Sequence, residues 1–93
     1  MTDTPQITFS LFVLSLSASA EIHLGRLPRP GSDQLAPPNP REAAHLIAVL
    51  AMLAEKTAGN LEESEERLLD AVLHDLRMHY QALTAGEKKV VEP

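Results

Sequence analysis

Residues 55–69 read EKTAGNLEESEERLL. Apolar residues recur at helical spacing before and after this stretch, and only Gly59 and Asn60 stand between the two runs. Glycine adopts the left-handed conformation that ends helices, and asparagine is a good helix opener. Glu62, Glu63, Glu65 and Glu66 then crowd the first turns of the next helix, where the helix dipole favours negative charge. So short a break folds the two helices back as an antiparallel hairpin. Gly59, Asn60 and Leu61 form its joint, with Asn60 or Glu62 as the cap and Leu61 packing back as a staple under the third helix. The acidic cluster is most simply a solvated helix start.

Working upstream, the predicted second helix spans residues 40–58. Asn39 is its N-cap, Pro40 suits the first helical position, and Glu42 closes a capping box. Ala43, Leu46, Ile47, Leu50 and Leu53 form its apolar stripe, while Ala44, Ala48, Ala51 and Ala54 keep another side small. Downstream, the predicted third helix spans 61–84. Leu69, Val72, Leu76, His79 or Tyr80, and Leu83 make a seam of near-heptad spacing. It frays near Gly86, and residues 85–93 are expected to be a mobile tail.

Residues 25–39 form a linker. Five of the seven prolines lie between residues 26 and 40, and proline removes amide donors and fixes φ. The expectation is a semi-extended, partly polyproline-like connection running the length of the bundle, with a docking peptide as the alternative. Before it, residues 8–24 form the first helix, closed by Gly25. Phe9, Phe12, Val13, Leu16 and Ala20 recur at helical spacing, and Leu11, Leu14, Ala18 and Ile22 lie on its other sides. A helix apolar around so much of its circumference is normally buried, and two partner helices of one small chain hardly cover it. The same segment imitates a secretory signal, with Ala18-Ser19-Ala20 resembling a cleavage site. The preceding MTDTPQ lacks the Lys or Arg such signals carry, and the apolar run is too short and Ser-rich to span a bilayer. A core or interface helix is the better account.

Composition narrows the function. The chain has 93 residues and a net charge of −5, from 13 acidic and 8 basic side chains. That balance opposes non-specific nucleic-acid binding and electrostatic membrane anchoring. There is no cysteine, hence no disulfide, thiolate ligand or thiol nucleophile, and a reducing cytoplasm suits the chain. Aromatic residues are only 3% while Leu and Ala dominate, which favours helices. A single domain this short is marginally stable alone, and oligomerisation is a common remedy.

The candidate chemistry is sparse. Pairing about Gly59 and Asn60 places position 45 near 74 or 75, so His45, His74 and Asp75 converge, with Glu21 and His23 on the same rim. Carboxylate plus imidazole is a donor set that zinc accepts. Against it, no His-x-x-x-His pair occurs, and His74 and His79 are five residues apart on different helix faces. By the same register Arg77 meets Glu42 in a salt bridge. The serines at 10, 15, 17 and 19 have no evident base partner and are expected to bond back to helix carbonyls or to let helices pack closely. A nucleophile, base and oxyanion donor cannot be assembled, so an enzyme is not expected.

These residues resemble a family. Glu55-Lys56-Thr57, Gly59-Asn60-Leu61, Glu65-Glu66, and Leu76-Arg77 with Tyr80 look like the C-terminal half of the bacterial family called domain of unknown function 1844. Phe12-Val13, Ser15-Leu16, His23-Leu24-Gly25 and Pro30 fit its N-terminal piece. The resemblance covers roughly residues 9–82. The family pattern has Thr where this chain has Glu62 and a basic residue where it has Ala58, so the chain's cap is weaker than the family's. The resemblance implies a small soluble bacterial helical protein with no known activity, cofactor or catalytic residue.

The sequence thus predicts an all-α protein of three helices: a hairpin of the second and third, plus an apolar first helix. Its expected role is a non-enzymatic, cytoplasmic assembly or adaptor module without cofactor. It would be a homo-oligomer, most simply a dimer, contacting its own copy or another protein through Phe9, Phe12, Val13 and Leu16. The alternative is a metal- or ligand-binding sensor built on His45, His74 and Asp75.

Overall fold

The computed structural model describes residues 7–90, with side-chain surroundings for residues 7–85. It contains three helices: α1 over Phe9–His23, α2 over Pro40–Lys56 and α3 over Glu63–Val90. Each packs on both others. Val13, Ala20 and Leu24 from the first segment meet Ala43 and Leu50 of α2 and Leu69, Val72, Leu73 and Leu76 of α3 in one buried core. The all-α class and the inward stripes of α2 and α3 are those the periodicity predicts. Tyr80, rather than His79, continues the α3 seam.

α1 opens on Thr8, whose Oγ1 accepts from the Leu11 amide at 3.0 Å. It closes in a Schellman motif: Gly25 N–H donates to the Ile22 carbonyl and Arg26 N–H to that of Glu21, at 3.0 and 2.9 Å. The position after the C-cap needs positive φ, and Gly25 supplies it at 78°. A Cβ there would also lie 3.1 Å from Pro38 Cγ. The two ends of the linker therefore touch. Next to that contact, the Asn39 amide donates to the His23 carbonyl at 2.7 Å.

This overturns the expected bundle-length connection. The linker leaves and returns at one end of the bundle, as a compact Ω-like loop. Gly31 turns at φ 83°, the Ser32 amide donates to the Arg29 carbonyl at 3.0 Å, and Pro28 and Leu35 form an isolated antiparallel bridge. The reason is topological: α1 and α2 run antiparallel, so no span between opposite ends is needed. The same clasp alters the expected capping box. Asn39 Oδ1 accepts from the Glu42 amide at 3.3 Å, but the Asn39 amide is taken by His23 rather than by the Glu42 carboxylate.

The joint also differs in detail. α2 ends at Lys56 with Thr57 as its cap, so Gly59 sits one place later than expected. It occupies a turn in which the Asn60 amide donates to the Thr57 carbonyl at 2.8 Å, at φ 85°. Nothing lies within 4 Å of a Cβ built there. α3 starts at Glu63, and Glu62 rather than Asn60 is its first carbonyl acceptor, receiving the Glu66 amide at 2.9 Å. Glu65 Oε1 accepts from the Glu62 amide at 2.9 Å. That is half a capping box, because glutamate at the cap cannot return the bond as Ser or Thr does. Leu61 packs on the core. A staple would pair it with residue 66, which is a glutamate, so the predicted staple does not form. α3 continues through Gly86 to Val90, past the predicted end at 84. Good helix formers surround that glycine, and one glycine costs a helix only about 1 kcal/mol. The remainder of the expected tail, 91–93, lies outside the described residues.

Two stability predictions follow from these ends. Gly25→Ala meets both unfavourable φ and Pro38, so it should cost more than Gly59→Ala, which meets only the roughly 1–2 kcal/mol backbone penalty; equal losses in urea denaturation would contradict the clasp. Glu62→Thr should complete the capping box and stabilise the chain by about 0.5–1 kcal/mol in the same assay.

Candidate interaction surface

α1 carries two apolar seams on opposite sides. A shift of two residues turns a helix by about 200°, so Phe9, Val13, Leu16 and Ala20 point one way and Leu11, Leu14 and Ala18 the other. Both sets follow the four-three rhythm of packed helices. The first set faces the core. Val13 and Ala20 are fully buried, and Phe9 and Leu16 pack against them half-buried. The second set faces solvent. Leu11 is 53% exposed and Leu14 47%, and Ile7 just before the helix 79%; Phe12, two residues from Leu14 and therefore on the flank nearer the core, is 44% exposed.

This sorts the four residues expected at an interface. Phe12 alone is exposed; Val13 is a core anchor, and Phe9 and Leu16 support it. The residues missed are Leu11 and Leu14. Their spacing was legible, but a sequence with apolar residues on every side does not say which side its own chain covers. Ala20, in the apparent cleavage site, is part of the core.

The exposed strip is uncharged: no Asp, Glu, Lys or Arg occurs between Asp3 and Glu21. Its one polar member on the helix, Ser15, donates to the Phe12 carbonyl at 3.1 Å. That back-bond satisfies the hydroxyl within the helix, so the strip can be covered without stranding a donor.

The alternative, a metal site on His45, His74 and Asp75, is not assembled among the described residues. His45, His74 and Asp75 are all exposed. On α3, positions 74 and 75 sit between buried Leu73 and Leu76 and so turn outward; on α2, His45 stands beside buried Ala43. Glu42 and His45 do share Glu-x-x-His spacing, yet both are exposed and no third donor joins them. Among the described residues no group of three His, Cys, Asp or Glu could hold a metal ion. Among the described residues, His79 has a tertiary side-chain partner. Its Nδ1 lies 3.1–3.2 Å from both carboxylate oxygens of Glu21. Arg26 Nε approaches the same carboxylate at 3.4 Å, so Glu21 links the end of α1 to α3 and to the loop.

Arg77 does not meet Glu42. Among the described residues the arginine–carboxylate salt bridges are Arg26–Glu21 and Arg67–Glu63. Arg77 instead lines an open groove with Tyr80 and Gln81 of α3 and the small side of α2, including Ala44, Ala48 and Ala51. No described helix is long and apolar enough to cross a membrane.

No curated protein and no solved structure matches the chain. One family does, over residues 6–82, a span that takes in α1, the linker, α2 and most of α3. Matched over the greater part of its length, the chain belongs to the family described as domain of unknown function DUF1844.

Proposed function

We propose that this protein acts by protein–protein contact, as a non-enzymatic assembly or adaptor module, and that the solvent side of α1 is its contacting surface. The observation that carries this reading is the pair of large leucines, Leu11 and Leu14, on successive turns and each about half exposed, with exposed Ile7 just before them. Single exposed apolar residues are ordinary, whereas a contiguous exposed patch marks an interaction site. Here the patch is one whole side of a helix whose other side is already committed to the core. An acidic chain also holds other copies off through its charge, so an uncharged strip stands out as the place where contact costs least.

The two seams give separable mutants. Leu11→Asp adds a charge to the exposed side and should reduce the assembly to single chains, with helix content and unfolding midpoint within about 0.5 kcal/mol of the parent. Val13→Asp places the charge in the core and should unfold the protein, at a cost of about 3 kcal/mol or more. Light scattering with circular dichroism reads both. An unchanged multi-chain mass for Leu11→Asp, or a parent that is already a single chain, would contradict the reading.

A further inference from the structure

We infer that the occupant of the α1 face is the same face of a second copy, running antiparallel about a two-fold axis that passes beside Leu14 and Ser15. This rests on the reading of α1 as a contact surface and adds its partner and geometry.

Three features select it. The first is size. With the axis between positions 14 and 15, Leu11 of one chain faces Ala18 of the other, large against small, and Ile7 faces Ile22. Ser15 at the axis is small, and its hydroxyl is already bonded to Phe12. A parallel pair would set Ala18 against Ala18 and leave a gap.

The second feature is charge at the ends. The Asn39–His23 clasp puts the end of α1 beside the start of α2, where Arg26, Arg29 and Arg41 are balanced by Glu21, Asp33 and Glu42. The opposite end holds the joint, where Glu62, Glu63 and Glu66 are exposed and Glu65 is half-buried. Parallel pairing would set two acidic joints side by side. Antiparallel pairing sets each acidic joint beside the charge-balanced loop end of its partner, and like-charge juxtaposition of the joints is what separates the two arrangements. The third feature is that the strip itself carries no charge from residue 4 to residue 20. A second copy is therefore a partner that this otherwise acidic chain meets without repulsion across the seam. An isologous two-fold contact of this kind closes on itself.

The chain has no cysteine, so single thiols can be placed at will and joined by a bis-maleimide spanning the roughly 8–10 Å between packed helices. Ser15→Cys should cross-link to itself, because it lies at the axis. Ile22→Cys should not, since its two copies would stand about 22 Å apart along the helices. A mixture of Ile7→Cys and Ile22→Cys should give the mixed product. Each variant is first checked for parental helix content; should Ile22→Cys fail that check, His23→Cys replaces it. Self-linked Ile22→Cys would overturn the antiparallel arrangement while leaving α1 as the contact. A parent of two-chain mass with no Ser15→Cys product would overturn both. A parent of one-chain mass would overturn both as well.

Discussion

The hydrogen bond from the Asn39 amide to the His23 carbonyl, 2.7 Å long, is the constraint on which the arrangement turns. It fixes the start of α2 against the end of α1 and makes the two helices antiparallel. Gly25 permits it, because only a residue without Cβ combines positive φ with the approach of Pro38. Once α1 is held at that end, its rotation is set by what the core accepts. Val13 and Ala20 go in, so Leu11, Leu14 and Ala18 must come out. The same placement brings Glu21 to His79, a contact between residues 58 apart in the chain. One clasp thus links backbone conformation, core packing and the surface left for a partner.

The joint between α2 and α3 works under a different constraint. Its glycine is required by φ alone, and its helix start is only half-capped, through Glu65. The acidic residues there favour the N-terminus of α3 through the helix dipole, at the cost of mutual repulsion. That repulsion matters little while the joint faces water. It begins to matter when another acidic chain is placed beside it, which is how a feature of local helix chemistry comes to bear on the orientation of a partner.

Much of this was legible in the sequence, and the exceptions share a cause. The stripes of α2 and α3 showed themselves because each helix has a polar side to contrast with its apolar one. Helix starts at Thr8 and Asn39 and the stop at Gly25 follow from local chemistry and sit within a residue of where that chemistry places them. What failed depended on the third dimension. The prolines of the linker say that no helix continues there; they do not say whether the chain runs onward or doubles back, which the antiparallel setting of α1 decides. His45, His74 and Asp75 converge only if a two-helix register is extended to side chains, and helix rotation carried all three to the surface. The side of α1 that faces out was hidden for the opposite reason: with apolar residues on both sides, periodicity alone gave no preference.

The measurement that bears most directly on this account is the mass of the untagged, unaltered chain in solution, followed over a dilution series. One helix face covers less than the roughly 800 Å² per partner of a standard stable interface, so the association should be reversible. The account predicts a mass of two chains at high concentration that falls towards one chain on dilution, with no larger species between. The mass of a single chain at every concentration would contradict it.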